Sequence, residues 1–159
     1  MRAIVVGSML SAACDGPPAP ADGGDAGAGD PPPPALFAEV EETARYRIPE
    51  LSGHAHVVRT EMNVPHVYAE NRLDAMRVLG FVMAQDRFFQ MDMTRRLSQG
   101  RLSEILGDAA LPTDIENRQI GAAHVARLYE QALSEEEAAE VDAFAQGINA
   151  YIEAVRMRQ

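Results

Sequence analysis

Residues 57–107 read VVRTEMNVPHVYAENRLDAMRVLGFVMAQDRFFQMDMTRRLSQGRLSEILG, and the fold turns on this stretch. Two short β-prone runs, His54–Thr60 and His66–Ala69, flank Glu61-Met62-Asn63-Val64-Pro65. Asparagine tolerates the left-handed backbone region, and a residue before proline is held extended. The pattern therefore predicts a hairpin of two strands. Asn71, with Asp74 three residues on, then caps a helix entering at Arg72. Leu73, Met76, Leu79, Val82 and Met83 recur at three- and four-residue spacing, and Phe88, Phe89, Met91, Met93 and Leu97 continue the run. A helix with two apolar faces is expected to be largely buried. Met76, Met83, Met91 and Met93 read as core filler.

Beyond this stretch the reading stays helical. Gly100 bends the chain before a short helix, Leu102–Leu106, which Gly107 ends. A further helix is expected from about Glu116 to Leu133. Ser134 and Glu137 form a capping box for the last one. Val141, Phe144, Ala145, Ile148, Tyr151, Ile152 and Val155 make its apolar stripe, with Glu136, Glu140 and Glu153 on a solvated face. Upstream, Leu36–Arg47 reads as an acidic, weakly helical segment stopped by Pro49. The fold class is α+β, a short β-hairpin followed mostly by α-helices.

The N-terminal part differs in kind. Residues 15–35, DGPPAPADGGDAGAGDPPPPA, use only Pro, Gly, Ala and Asp, and seven of the ten prolines of the chain lie here. Such a segment has nothing with which to fill a core, so it reads as a disordered linker. Ahead of it, residues 1–14 place Arg2 before the apolar run Ala3–Leu10, then Ser11-Ala12-Ala13 before Cys14. This is the order of a secretory signal. A cysteine after small residues and before a tether resembles a bacterial lipobox, with Cys14 as the lipidated residue after cleavage. The chain is thus expected to be exported, periplasmic or held at a membrane by a lipid, and residues 36–159 carry the structured region.

Composition bounds the chemistry. The 159 residues carry 14 basic and 24 acidic side chains, for a formal net charge of −10, and every cation is arginine. That balance argues against a nucleic-acid partner, which needs clustered cations facing phosphate. A single cysteine rules out a disulfide framework within the chain. His54 and His56 on one strand and His66 on its partner make a metal site conceivable, but no carboxylate or cysteine completes the set, so no metal ligand is assigned. Asp86 and Arg87 read as structural ion-pairing residues reaching neighbouring segments rather than as a catalytic pair, because adjacent helix positions face different directions. No nucleophile elbow or phosphate loop is present, and no catalytic residue is assigned.

The same stretch resembles the start of the A chain of the penicillin acylase family, a branch of the N-terminal nucleophile hydrolases. The likeness is carried by Val64-Pro65-His66, Tyr68-Ala69-Glu70-Asn71 and Gly80-Phe81, then by Ala84-Gln85-Asp86-Arg87-Phe88-Phe89-Gln90-Met91-Asp92. It goes on through Arg95-Arg96, Gln99-Gly100-Arg101, Glu104 and Leu106-Gly107. Asp114, Arg118, Gly121 and Phe144-Ala145-Gln146-Gly147-Ile148-Asn149-Ala150-Tyr151-Ile152 continue it. Asn63 stands where the family has glycine, and Phe81 and Phe144 where it has tyrosine.

The resemblance implies an N-terminal fragment of a four-layer αββα fold whose activity is hydrolysis of a linear amide. Substrates of the class are small acylated amines, such as a β-lactam side chain or an N-acyl homoserine lactone. It implies a partner, the B chain cut from the same precursor, whose first residue is the nucleophilic serine and whose α-amine is the base. An α-amine titrates near ~8, close enough to neutrality to take the hydroxyl proton. Calcium is expected in the whole enzyme, with ligands outside this chain. Asp86, Arg87, Gln90, Arg96 and Arg101 are then structural motif residues. Cys14 is unsuited as an alternative nucleophile, because it opens a tether rather than a buried strand. The competing expectation is a stand-alone lipoprotein adaptor derived from the A chain, without catalysis.

Overall fold

The computed structural model describes the backbone of residues 2–7 and 35–156. Cys14 and the tether up to Pro34 lie outside the described residues. The chain divides into two compact units, Met1–Val82 with Glu140–Gln159, and Met83–Ala139.

In the first unit four strands form one sheet: β1 (Arg2–Gly7), β2 (Glu41–Arg47), β3 (Ala55–Arg59) and β4 (Pro65–Ala69). Their spatial order is β2-β1-β3-β4. The expected hairpin is β3 and β4, antiparallel with His56 opposite Tyr68 and Val58 opposite His66. Asn63 takes φ 58° in the turn, and its N–H donates to the Thr60 carbonyl. β1 runs parallel to β2 and antiparallel to β3.

One expectation is corrected here. Leu36–Arg47 is not helical beyond a single 3₁₀ turn at Ala35–Phe37; Glu41–Arg47 is a strand. Ala44 and Tyr46 pack against the core, so the segment follows a period of two that its acidic residues mask. The backbone of Arg2–Gly7, which lies within residues 1–14 and outside this correction, is strand β1.

Behind the sheet lie the first turns of α1 (Arg72–Gln99) and α5 (Glu135–Arg156). The core comprises Ile48, Leu51, Ala55, Val57, Val78, Phe81 and Val82, with Tyr46 and Tyr151 packed on Phe81. A smaller cluster on the other face holds Phe37 and Val58. The two helices cross at glycine. A Cβ on Gly147 would collide with the Arg77 carbonyl, and one on Gly80 with the Phe144 carbonyl. That approach shifts the buried side of α5: Ala143 and Gly147 are its buried residues, while Val141 from the expected stripe is exposed.

The second unit is helical. α1 is interrupted at Arg87 (φ −140°, ψ 27°) and is not buried throughout, since Met83, Phe88, Phe89 and Leu97 are exposed. Gly100 and Gly107 take positive φ on either side of α2 (Ser103–Leu106), as the sequence predicts. The single helix expected over 116–133 is two: α3 (Leu111–Ile120) and α4 (Ala122–Ala132). Gly121, at φ 75°, ends one and starts the next. Ser134 and Glu137 form the capping box, the Glu137 carboxylate accepting from the Ser134 N–H and hydroxyl.

Candidate functional site

The polar architecture of each unit is built on one aspartate. Asp74 sits in the first turn of α1, where its N–H donates to the Asn71 side chain at 2.8 Å. The carboxylate reaches back to the β2–β3 connection. It accepts the Ser52 N–H at 3.1 Å, the Ser52 hydroxyl at 2.7 Å and the Gly53 N–H at 3.2 Å. Asn71 Nδ2 donates to it at 2.8 Å and the Arg77 guanidinium at 2.9 Å. Arg77 in turn donates through Nε and a terminal nitrogen to Gln146 Oε1 on α5, at 3.0 and 2.8 Å. Burial pushes the Asp74 carboxyl up, but the bonds from Ser52, Asn71 and Gly53 outweigh it and hold the group below its ordinary value. A carboxylate so fully engaged is anionic and structural; it has no lone pair to spare for a substrate proton.

Asp114 repeats the device in the second unit. It accepts the Leu102 and Ser103 N–H groups at 2.8 Å each and the Ser103 hydroxyl at 2.6 Å. Burial again opposes ionisation, and the Ser103 and Leu102 bonds again prevail, with the Arg118 charge helping to lower the carboxyl's pKa. Arg118 Nε donates to the Gly100 carbonyl at 2.9 Å, closing the bend between α1 and α2.

The motif residues fall along α1 from Asp86 to Arg96 and, with Arg101, at the bend before α2. Arg96 donates to Asp92 at 2.8 Å and to Glu104 at 2.6 Å. Arg101 meets the same Glu104 at 2.6 Å. Arg87, at the interruption of α1, donates to Gln90 Oε1 at 3.2 Å. The Arg96 hydrogen bond lowers the Asp92 carboxyl, and the Arg101 bond lowers Glu104. Arg96, Arg101, Asp92 and Glu104 thus form one charged network, and Arg87 and Gln90 pair with each other. Asp86, the remaining motif residue, lies in α1 one position before the interruption at Arg87.

The histidines behave differently. His56 packs on Phe37 with ring centroids 5.0 Å apart, and burial lowers its pKa, with His54 adding to the effect and Glu42 opposing it. Among the described residues no group of three or more His, Cys, Asp or Glu is placed to hold a metal ion. No calcium ligand is assigned among these residues. Among the described residues no helix is long and apolar enough to cross a membrane.

Sequence reasoning named Asp74 only as a helix cap and did not single out Arg77 or Gln146. The available signal was Arg77 itself, whose neighbours at helical spacing are Leu73, Asp74, Gly80 and Phe81. Such a charge needs a buried partner.

The family model described as Penicillin amidase matches residues 54–159. The chain belongs to the penicillin amidase family. It is 43% identical to the penicillin acylase 2 proenzyme of Pseudomonas sp. (strain SE83) over 105 residues, covering 66% of this chain and 14% of that protein. It is 36% identical to penicillin G acylase of Escherichia coli over 106 residues, 67% of this chain and 12% of that one. An acyl-homoserine lactone acylase of Pseudomonas syringae pv. syringae is also 36% identical, over 102 residues. Among solved structures, the thermostable penicillin G acylase from Alcaligenes faecalis superposes with a TM-score of 0.60 at 37% identity, covering 65% of this chain and 55% of that chain. The matched region thus spans about one seventh or less of the length of these curated relatives. Residues 54–159 contain Asp74, Asp114 and the arginine motif, with Ser52 and Gly53 just ahead of them.

Proposed function

We propose that this chain is the N-terminal part of a longer penicillin-amidase precursor, one that hydrolyses linear amides through the N-terminal serine of a second chain. The observation that carries the reading is the family match over residues 54–159, which contains the described helices. Within that region the singled-out polar groups are engaged with one another, in the pattern of a framework rather than of a reacting centre.

The second chain supplies the nucleophile, its α-amine base and the donors for the oxyanion; this chain supplies scaffold and surface. Support for a covering partner comes from the apolar side chains left in solvent: Phe89 is 72% exposed, Tyr129 71% and Ile120 66%. A covering partner would take these side chains out of water. The substrate is an acylated amine of the class cleaved by penicillin acylases or acyl-homoserine lactone acylases. Export and lipidation at Cys14 place the enzyme outside the cytoplasm, at a membrane surface. Calcium belongs to the remainder of the enzyme.

The test is turnover of a chromogenic acyl amide. The 159-residue chain is expected to show none above background, and the matured product of the full reading frame is expected to hydrolyse it. Turnover by the short chain that persists in Cys14→Ala would overturn the division of labour. The same variant is expected to abolish membrane association; wild-type protein recovered wholly in the soluble fraction would overturn lipidation.

A further inference from the structure

The face of the sheet turned away from α1 and α5 carries a fastening that the family match does not contain. The 3₁₀ turn at Ala35–Phe37 lies ahead of residues 54–159, at the point where the Pro/Gly/Ala/Asp run ends. Phe37 is 7% exposed. Its ring lies 5.0 Å from that of His56 on β3 and meets Tyr68 on β4 edge-on at 4.9 Å, centroid to centroid. His56 and Tyr68 are opposite one another in the hairpin, so Phe37 sits on a single cross-strand pair. Val58 and Val40 complete the cluster.

We infer that Phe37 is an acid-released latch: it holds residues 35–40 on the β3–β4 hairpin while His56 is neutral, and lets them go when His56 takes a proton.

A protonated imidazole carries two N–H donors that need water or acceptors. His56 is half-buried beneath Phe37, and the charged groups around it give the proton little help. His54, two residues back, repels a second positive charge. Glu42 on β2 attracts the proton, but its carboxylate already holds Arg45 at 3.0 and 3.2 Å. β4 offers Tyr68 opposite His56 and His66 opposite Val58, while Glu70 at its end lies beside Gly53. The residue opposite on β1 is Val5, which has no charge, and Glu39 after the 3₁₀ turn is exposed. Burial and His54 together hold the imidazole below its ordinary value against the pull of Glu42.

The sign follows from linkage. Above the ordinary imidazole range the ring is neutral whether the latch is closed or open, and closure is complete. As pH falls through that range the open form takes the proton first, and the balance moves toward opening until the closed form titrates too. Opening uncovers Val58, now 6% exposed, and adds the stretch up to β2 to the run before it, about 17 Å at full extension. The Phe37 ring also attracts an imidazolium through its π face. Were that attraction the stronger effect, Phe37 would favour the proton instead of competing with it, so the two cases differ in sign.

Ring NMR titration of His56 in the full 159-residue chain tests this. Phe37→Ala should raise the His56 pKa toward its ordinary value; an unchanged or lowered value would overturn the inference. The second readout is the Val40 amide, which donates to the Phe37 carbonyl at 2.9 Å. Its protection against hydrogen exchange, corrected for the intrinsic rate at each pH, should fall about fivefold or more on acidification through the imidazole range. Val57 and Val67 in the hairpin should keep theirs. His56→Phe retains a ring under Phe37 but cannot titrate, and should hold Val40 protection level over the same range. Protection at Val40 that is flat in the wild type, or an acid loss that persists in His56→Phe, would overturn the latch. This pair decides by itself should Phe37→Ala fail to fold.

Discussion

The two units share a device and differ in almost everything else. In each, an aspartate near a helix start gathers two successive backbone N–H groups and a serine hydroxyl: Asp74 with Ser52 and Gly53, Asp114 with Leu102 and Ser103. Around Asp74 there is a core of large apolar side chains, among them Ile48, Val57, Val78, Phe81 and Val82. Around Asp114 the buried residues are small or polar: Ala84, Gly100, Ala110 and Asp114 itself. The same hydrogen-bonded clasp thus fastens a packed unit in one case and a loosely packed one in the other. Hydrogen bonds fix geometry, but their net contribution is modest, so cohesion follows apolar burial.

The sharpest break of that comparison is a pair of phenylalanines. Phe81→Ala, at a site 2% exposed, should cost about 3–5 kcal/mol in chemical denaturation. Phe89→Ala, at a site 72% exposed, should stay within about 0.5 kcal/mol. Equal costs would erase the distinction between the units. Removing the first clasp comes next. Asp74→Ala takes the carboxylate from Arg77, which keeps only its bonds to Gln146, and leaves two backbone donors without their acceptor; it should cost about 3 kcal/mol by the same measurement.

Crowding the helix crossing is a smaller insult. Gly147→Ala should lower stability by about 1–3 kcal/mol, because the new methyl meets the Arg77 carbonyl rather than a movable side chain. In the second unit Asp114→Ala should act locally: amide exchange at Leu102 and Ser103 accelerates, while β3 and β4 are unchanged.

The pH response is the mildest expected effect. Asp74 has a folded pKa below its unfolded value, so its contribution is complete above the unfolded value and is lost as pH falls through the folded one. Thermal melts should therefore show a loss of stability that begins in the ordinary carboxylate range and continues below it. In Asp74→Ala that part of the acid response should vanish.

Local features of the fold were legible in the sequence. Asn63 in its turn, Asn71 as a cap, Ser134 with Glu137, and Gly100 and Gly107 around α2 each depend on neighbours a few residues away. What escaped depends on distant ones. β2 carries too many acids to read as a strand until β1 pairs with it. The stripe of α5 rotates toward Ala143 because Gly147 meets Arg77, seventy positions earlier in sequence. Gly121 was read only as part of the family pattern, although glycine there ends α3. For the site, the Arg96–Asp92 and Arg101–Glu104 pairs stand at helical spacings of four and three residues, which sequence shows. The Asp74–Arg77–Gln146 chain was not legible, because it joins α1 to α5 and, through Ser52 and Gly53, to the β2–β3 connection.

Native-state hydrogen exchange on the 159-residue chain tests the central contrast most directly. The account predicts slow exchange in β3, in the first turns of α1 at 77–82 and in α5 around Gly147. It predicts exchange by local opening, well ahead of global unfolding, in α3 and α4. Protection in α3 and α4 equal to that of the β3–β4 hairpin, in the absence of any partner, would contradict it.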